Sequence, residues 1–277
     1  MDEKKSILII GKPGSAKTTF LAQFVTIARK SKSSVKFWKT PENIQPIENA
    51  IKKLRAGEET GSTPAEDNLI ITLPVTIKGN NIEMVCPDYG GEQINEILNL
   101  REINSHWSGL ITNSNSWVLF IRPKKLEDTF DLSNKSHSDN TENEEKEKVV
   151  PEFMVSDQSS IIELIQIMLS IKKVGYQKTI NSPKLTIALT CWDEVQEQIT
   201  PGDLLKKDLP LLNQFLKKNW AEDALKIMGV SAQGFKLNTQ ENKDKYLDDG
   251  PDKFAYVVKG DSIEQVKDLT LLIEEAV

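Results

Sequence analysis

The chain has 277 residues, 38% of them hydrophobic, which is enough to build the core of one large α/β domain or two small ones. Its 41 acidic and 35 basic side chains give a net charge of −6, which argues against a surface built to coat nucleic acid. The two cysteines, Cys86 and Cys191, are far apart in sequence and by themselves form neither a disulfide framework nor a zinc site.

The apolar run near the N-terminus is shorter than a signal-peptide core, and the longest apolar segment, Ile161–Ile171, contains Glu163 and Gln166. That segment falls short of the roughly 20 residues needed to cross a bilayer, so a cytoplasmic protein without a membrane span is expected. Ile7–Ile10 is a continuous apolar run ended by Gly11, as in a strand buried on both faces, and Lys17–Arg29 reads as the helix after it. Residues 68–77 and 81–86 flank the polar turn Lys78-Gly79-Asn80, which predicts an antiparallel hairpin whose first strand Pro74 places at a sheet edge.

A helix is expected over 92–103, after Gly90-Gly91, and a strand over Trp117–Ile121, stopped by Arg122-Pro123. The stretch 131–150, rich in Ser, Asn, Glu and Lys, has almost nothing to bury and is expected to be a disordered acidic insertion. Beyond it, Ser160–Val174 and Asp203–Trp220 read as helices, Leu185–Leu189 and Leu225–Val230 as buried strands. Ser262-x-x-Gln265 has capping-box form, and Ile263, Val266, Leu269 and Ile273 make the stripe of a C-terminal helix. This alternation predicts one α/β domain over 1–277: a mostly parallel central sheet, one antiparallel edge hairpin and helices on both faces.

Four stretches at strand ends carry chemistry. Gly11-Lys-Pro-Gly14-Ser15-Ala16-Lys17-Thr18-Thr19 is nearly G-x-x-x-x-G-K-[ST], a turn whose N–H groups converge on phosphate at a helix N-terminus. In such a loop Lys17 reaches the terminal phosphates and Thr18 ligates Mg²⁺. Ala16 replaces the second glycine, and Gly14 is expected to supply the positive-φ turn. Asp88-Tyr-Gly-Gly91 follows the hairpin, where a carboxylate holds Mg²⁺ through water while the Gly91 N–H approaches a γ-phosphate. In Thr190-Cys191-Trp192-Asp193, the carboxylate of Asp193 can accept from guanine N1–H and its exocyclic amine, or else cap the helix that follows. Val230-Ser231-Ala232-Gln233, after the last core strand, closes the series with backbone that can contact the guanine oxygen.

Phosphate loop, hairpin, D-x-x-G, T-x-x-D and S-A-x in this order resemble the motif series of Ras-like P-loop GTPases of the translation-factor-related class. The Asp-Tyr-Gly-Gly-Glu form and the insertion further resemble bacterial double-GTPase domains, which implies a role in conflict or defence systems. The resemblance implies a guanine-nucleotide switch using GTP/GDP and Mg²⁺, with a protein effector or a second GTPase as partner. It puts Gly11, Gly14, Ser15, Lys17, Thr18 and Thr19 on the phosphates and Mg²⁺, with Asp88 and Gly91 joining them. Leu54–Thr63 stands as the first switch, with Thr63 the Mg²⁺-completing threonine and Thr60 its rival.

Two departures bear on activity. Cys191 occupies the position of the lysine whose stem packs over guanine, and Glu92, followed by Gln93, stands where relatives carry a water-orienting glutamine. A carboxylate there repels charge developing on the γ-phosphate, so slow hydrolysis is expected. The alternatives are a pseudo-GTPase scaffold and, as a third reading, an ATP-directed P-loop enzyme.

Overall fold

In the computed structural model, which describes residues 5–30, 33–61, 70–87, 91–126, 155–175 and 179–277, a single sheet runs through the molecule. Its strands are β1 (Lys5–Ile10), β2 (Lys36–Phe37), β3 (Ile71–Ile77), β4 (Asn80–Cys86), β5 (Ser116–Ile121), β6 (Lys184–Thr190), β7 (Leu225–Ser231), β8 (Tyr256–Lys259) and β9 (Gln265–Val266). They lie in the order β2-β3-β4-β1-β5-β6-β7-β8-β9. The centre, from β4 to β7, is parallel, while β2 and β3 at one end and β8 and β9 at the other are antiparallel. The sheet is therefore mixed, with antiparallel pairing at both ends where the sequence predicted one hairpin.

The helices are α1 (Lys17–Ala28), α2 (Gln45–Arg55), α3 (Glu92–Leu100), α4 (Ser105–Asn113), α5 (Asp157–Lys172), α6 (Pro201–Asp208), α7 (Pro210–Asn219), α8 (Gln240–Asp249) and α9 (Thr270–Glu275). Strand alternation distributes them between two layers. Ile7 and Ile9 face the layer holding Phe20 and Phe24 of α1, Ile47 and Leu54 of α2, Tyr246 of α8 and Ile273 of α9. Leu8 and Ile10 face the other, built on Ile94 of α3, Trp107 of α4, Leu164 of α5, Leu204 of α6 and Leu216 of α7. Each fully buried aliphatic side chain of this kind contributes about 1.5–3 kcal/mol. The C-terminal ends of β1, β5 and β6 lead into one cleft, the place where ligands bind in open α/β sheets.

Three expectations are corrected. The helix predicted over 203–220 is split at Leu209 (φ −131°), because Pro210 has no N–H to continue the ladder and starts α7 instead. The predicted C-terminal helix shortens to Thr270–Glu275, since Gln265 and Val266 pair with Val258 and Val257 as a strand. There Ser262 Oγ accepts the Glu264 N–H, and Asp268, not Ser262, accepts from the first residue of α9. Third, β3 is not the sheet edge: Lys36 and Phe37 pair with it, and the Pro74 carbonyl accepts the Trp38 N–H. The proposed insertion at 131–150 lies outside the described residues. Among the described residues no helix is long and apolar enough to cross a membrane.

Candidate functional site

The loop between β1 and α1 is held by close backbone approach. A Cβ on Gly11 would lie 2.5 Å from Ser15 Oγ and 2.8 Å from the Phe120 carbonyl. Lys17 is buried, and its Nζ donates to the carbonyls of Gly11 (2.5 Å) and Lys12 (3.2 Å) and approaches Ser15 Oγ at 3.5 Å. Its charge is thus met by dipoles of the loop it serves, an arrangement that keeps a buried ammonium affordable in a polar pocket. Gly14 has φ +71°, and Ala16, immediately before α1, is itself left-handed at φ 63°, ψ 20°. Gly14 thus takes the positive-φ turn expected of it, and Ala16 joins it in the left-handed region, where an L-side chain costs about 1–2 kcal/mol.

The start of α3 is stacked on this loop. Gly91 has φ +93°, and a Cβ there would lie 2.6 Å from the Pro13 nitrogen and 2.7 Å from the Lys12 carbonyl carbon. Glu92 faces the cleft above the loop, whereas Gln93 is turned into the fold, where its Oε1 accepts the Trp107 indole N–H at 2.6 Å. Asp88 and Thr63 lie outside the described residues. Thr60 lines the cleft, its hydroxyl 2.8 Å from that of Thr19, and its carbonyl accepts from Lys53 Nζ at 3.3 Å.

At the end of β6, Thr190 Oγ1 donates to the Ile121 carbonyl, and Cys191 is left-handed at φ 51°. The chain then turns Trp192 inward over Gly229 and leaves Asp193 at the cleft. Asp193 Oδ1 accepts the Ser231 hydroxyl at 2.5 Å, while Ser231 Oγ accepts the Gly234 N–H at 2.8 Å. Ser231 is fully buried, so it holds Asp193 in place without lining the cleft, and Ala232 beside it does line the cleft. Burial pushes the Cys191 thiol up to about 12, with Arg122 and Lys125 opposing.

These parts enclose a cleft of 510 Å³, within the range of small-molecule sites. Residues 13–20 line one end, Thr190, Cys191, Asp193 and Ala232 the other, with Glu59, Thr60 and Glu92 at the rim. The structure adds side chains that the sequence reading passed over, Arg122, Lys125, Glu194 and Lys236, and Gln233 of the fourth stretch lines the cleft with them. Arg122 donates to both carboxylate oxygens of Glu194, through Nε at 2.9 Å and Nη2 at 2.6 Å. The pair holds the Glu194 carboxyl below its usual range, helped by Lys236 at 3.6 Å. The signal was present in Arg122-Pro-Lys-Lys125, a basic run directly after a buried strand. Finally, Lys12 pairs with Asp157 of α5 at 2.7 Å, tying the loop to the neighbouring helix.

A family model described as Double-GTPase 1 matches residues 8–276, and with it nearly every element that forms the cleft. This chain belongs to the Double-GTPase 1 family. It is thus a P-loop GTPase domain, and the loop from Gly11 to Thr18 is the stretch that nearly matches the P-loop pattern. No curated protein matches the chain. Among solved structures it is similar to a bacterial selenocysteine-specific elongation factor, EF-Sec, at 14% identity and a TM-score of 0.38, over 89% of this chain. It spans only 29% of that elongation factor's length. It is also similar to the Arl6 BBS3 small GTPase of Trypanosoma brucei with a bound nucleotide analogue, GppNp (11% identity, TM-score 0.38, 89% of this chain and 96% of that one). A third likeness is to the G domain of the T. maritima FeoB iron transporter, at 11% identity and a TM-score of 0.34, over 88% of this chain and 98% of that one.

Proposed function

We propose that this double-GTPase domain is a Ras-like guanine-nucleotide switch that binds GTP and GDP, hydrolyses GTP slowly and controls a protein partner, an effector or a second GTPase domain, in a bacterial conflict or defence system. The observation that carries the reading is the two-ended cleft. Lys17 and the N-terminus of α1 stand at one end, and Asp193, fixed by Ser231, stands at the other. A nucleotide laid along it sets phosphates against P-loop N–H groups and the positive end of α1. Its guanine edge then offers N1–H and an exocyclic amine to the Asp193 carboxylate, donors that adenine does not present together.

The residues at the phosphate end suit Mg²⁺, a hard cation that takes oxygen ligands: Thr18 has a hydroxyl in the cleft, and Thr60 lies across from it. Thr18 would hold the ion together with Asp88 and a switch threonine, Thr63 or Thr60, and the bound ion would neutralise phosphate charge. Hydrolysis is in-line attack of water on the γ-phosphorus, giving GDP and phosphate, while Lys17 stabilises the charge that spreads over the phosphoryl oxygens. Glu92 stands where that water is oriented, and its negative charge opposes the same transition state.

A second reading, a nucleotide-bound scaffold with little turnover, is favoured by one observation: Gln93, the amide directly after Glu92, is engaged by Trp107. Titration with fluorescent GTP and ATP in Mg²⁺, followed by phosphate release, tests both. GTP is expected to bind in preference to ATP, Asp193→Asn to erode that preference, and Lys17→Ala to abolish phosphate release. Preferential ATP binding overturns the switch reading, and tight GTP binding with no Lys17-dependent release selects the scaffold.

A further inference from the structure

Gly14 and Cys191 both line the cleft that joins the P-loop to Asp193, and neither carries a side chain long enough to lie across a ligand there. Cys191 is too short to cover a purine face, and Trp192 beside it is spent in the core over Gly229. The long cationic side chains available come from elsewhere in the chain. Arg122 is committed to both oxygens of Glu194, and Lys236 approaches the same carboxylate. Lys125, in the short turn Pro123–Lys125 after β5, is different. It is exposed, it lines the cleft, and among the described residues its amine has no hydrogen-bond or ion-pair partner.

Its position is specific. A Cβ on Gly14 would lie 2.9 Å from Lys125 Nζ, and 3.7 and 3.9 Å from its Cδ and Cε. The aliphatic stem thus runs along the cleft wall with the amine over the P-loop, and Cys191 lines the same cleft. We infer that Lys125, reaching in from the turn after β5, is the lysine that covers the face of the bound guanine and braces Gly14, a task that Cys191 cannot perform. The stem supplies apolar contact and the ammonium a cation–π attraction to the ring, while the amine over Gly14 ties base and phosphate ends together. This rests on the guanine-nucleotide reading of the cleft.

The test is equilibrium titration of the full chain with fluorescent GDP and GTP, comparing wild type with Lys125→Ala and Lys125→Met. Methionine keeps most of the stem and removes the charge. Lys125→Ala is expected to raise the Kd for both nucleotides about tenfold, with the melting temperature of the ligand-free protein unchanged, and Lys125→Met to stay within about threefold of wild type. Unchanged affinity in Lys125→Ala overturns the assignment. So does a loss in Lys125→Met as large as in Lys125→Ala that grows from GDP to GTP, because that pattern belongs to a phosphate contact. Failure of the wild type to bind guanine nucleotide sinks the reading of the cleft itself, and is distinguished by being seen before any substitution.

Discussion

Replacing Gly91 by alanine puts the packing of α3 on the P-loop to a quantitative test. The new Cβ would sit 2.6 Å from the Pro13 nitrogen, 2.7 Å from the Lys12 carbonyl carbon and 2.9 Å from the Gly11 carbonyl oxygen, all backbone atoms. No rotamer change can relieve such contacts, so the loop or the start of α3 must move by roughly 1 Å. The residue also sits at φ +93°, where an L-side chain costs about 1–2 kcal/mol. Overpacking against backbone adds about 1–3 kcal/mol, for a total of about 2–5 kcal/mol. At about 2–4 °C per kcal/mol for a domain of this size, the melting temperature should fall by roughly 5–15 °C. The displaced loop should also lose one or two N–H contacts to phosphate, weakening GDP binding by about tenfold or more. Urea melts and calorimetric titrations read the two effects separately. If Gly91→Ala melts within 2 °C of wild type and binds GDP equally well, on the order of the assays' own scatter, α3 does not rest on the P-loop as described.

The remaining predictions concern the rest of the cleft. Ala16→Gly releases about 1–2 kcal/mol of left-handed strain and gives back about 0.4–1 kcal/mol through a more flexible unfolded chain, so the urea midpoint should rise slightly; a fall would refute the strained geometry. Because burial pushes the Cys191 thiol to about 12, iodoacetamide at pH 8 should alkylate it at least about a hundredfold more slowly than an ordinary thiol, read by mass spectrometry. A rate like that of a free thiol would contradict its burial. Glu194 titrates below its ordinary value of 4.5 because Arg122 hydrogen-bonds its charged form. A depressed carboxyl pKa adds stability that is complete above 4.5 and lost as pH falls through the folded value. Arg122→Met should therefore flatten the acid limb of a melting-temperature profile below about pH 4.5, and acid limbs that run parallel would count against the pair.

What the sequence made legible was what depends on short-range pattern. Ile7–Ile10, Trp117–Ile121 and Leu185–Leu189 are apolar without interruption because both faces of the sheet are covered, and that run length survives any tertiary detail. The marginal elements are of another kind. β2 and β9 contain two residues each and exist only because β3 and β8 offer free edges, a long-range fact with no local signature. Gln265 and Val266 fit a helical stripe as well as a strand, and the β8 edge decided between them. At the cleft, the motif residues that line it could be named because each stretch follows the end of a strand, a local pattern, whereas Asp88 and Thr63 lie outside the described residues. Arg122 and Lys125 showed only as a basic run after a strand, since their value lies in which neighbour β5 brings beside the P-loop. The left-handed turn at Ala16 was hidden for a related reason, because the sequence displays a methyl group and only the backbone displays its cost.

The Lys12–Asp157 pair, 2.7 Å long, fastens the loop to the first residue of α5, and the last residue of that helix, Lys172, donates to the carbonyls of Thr112 and Ser114 just before β5. At about 1.5 Å per residue α5 is a rod roughly 24 Å long, pinned at each tip by a lysine. Whatever moves the loop at one tip therefore pulls on the turn before β5 at the other, so a probe placed at that turn would report on the cleft from its far side.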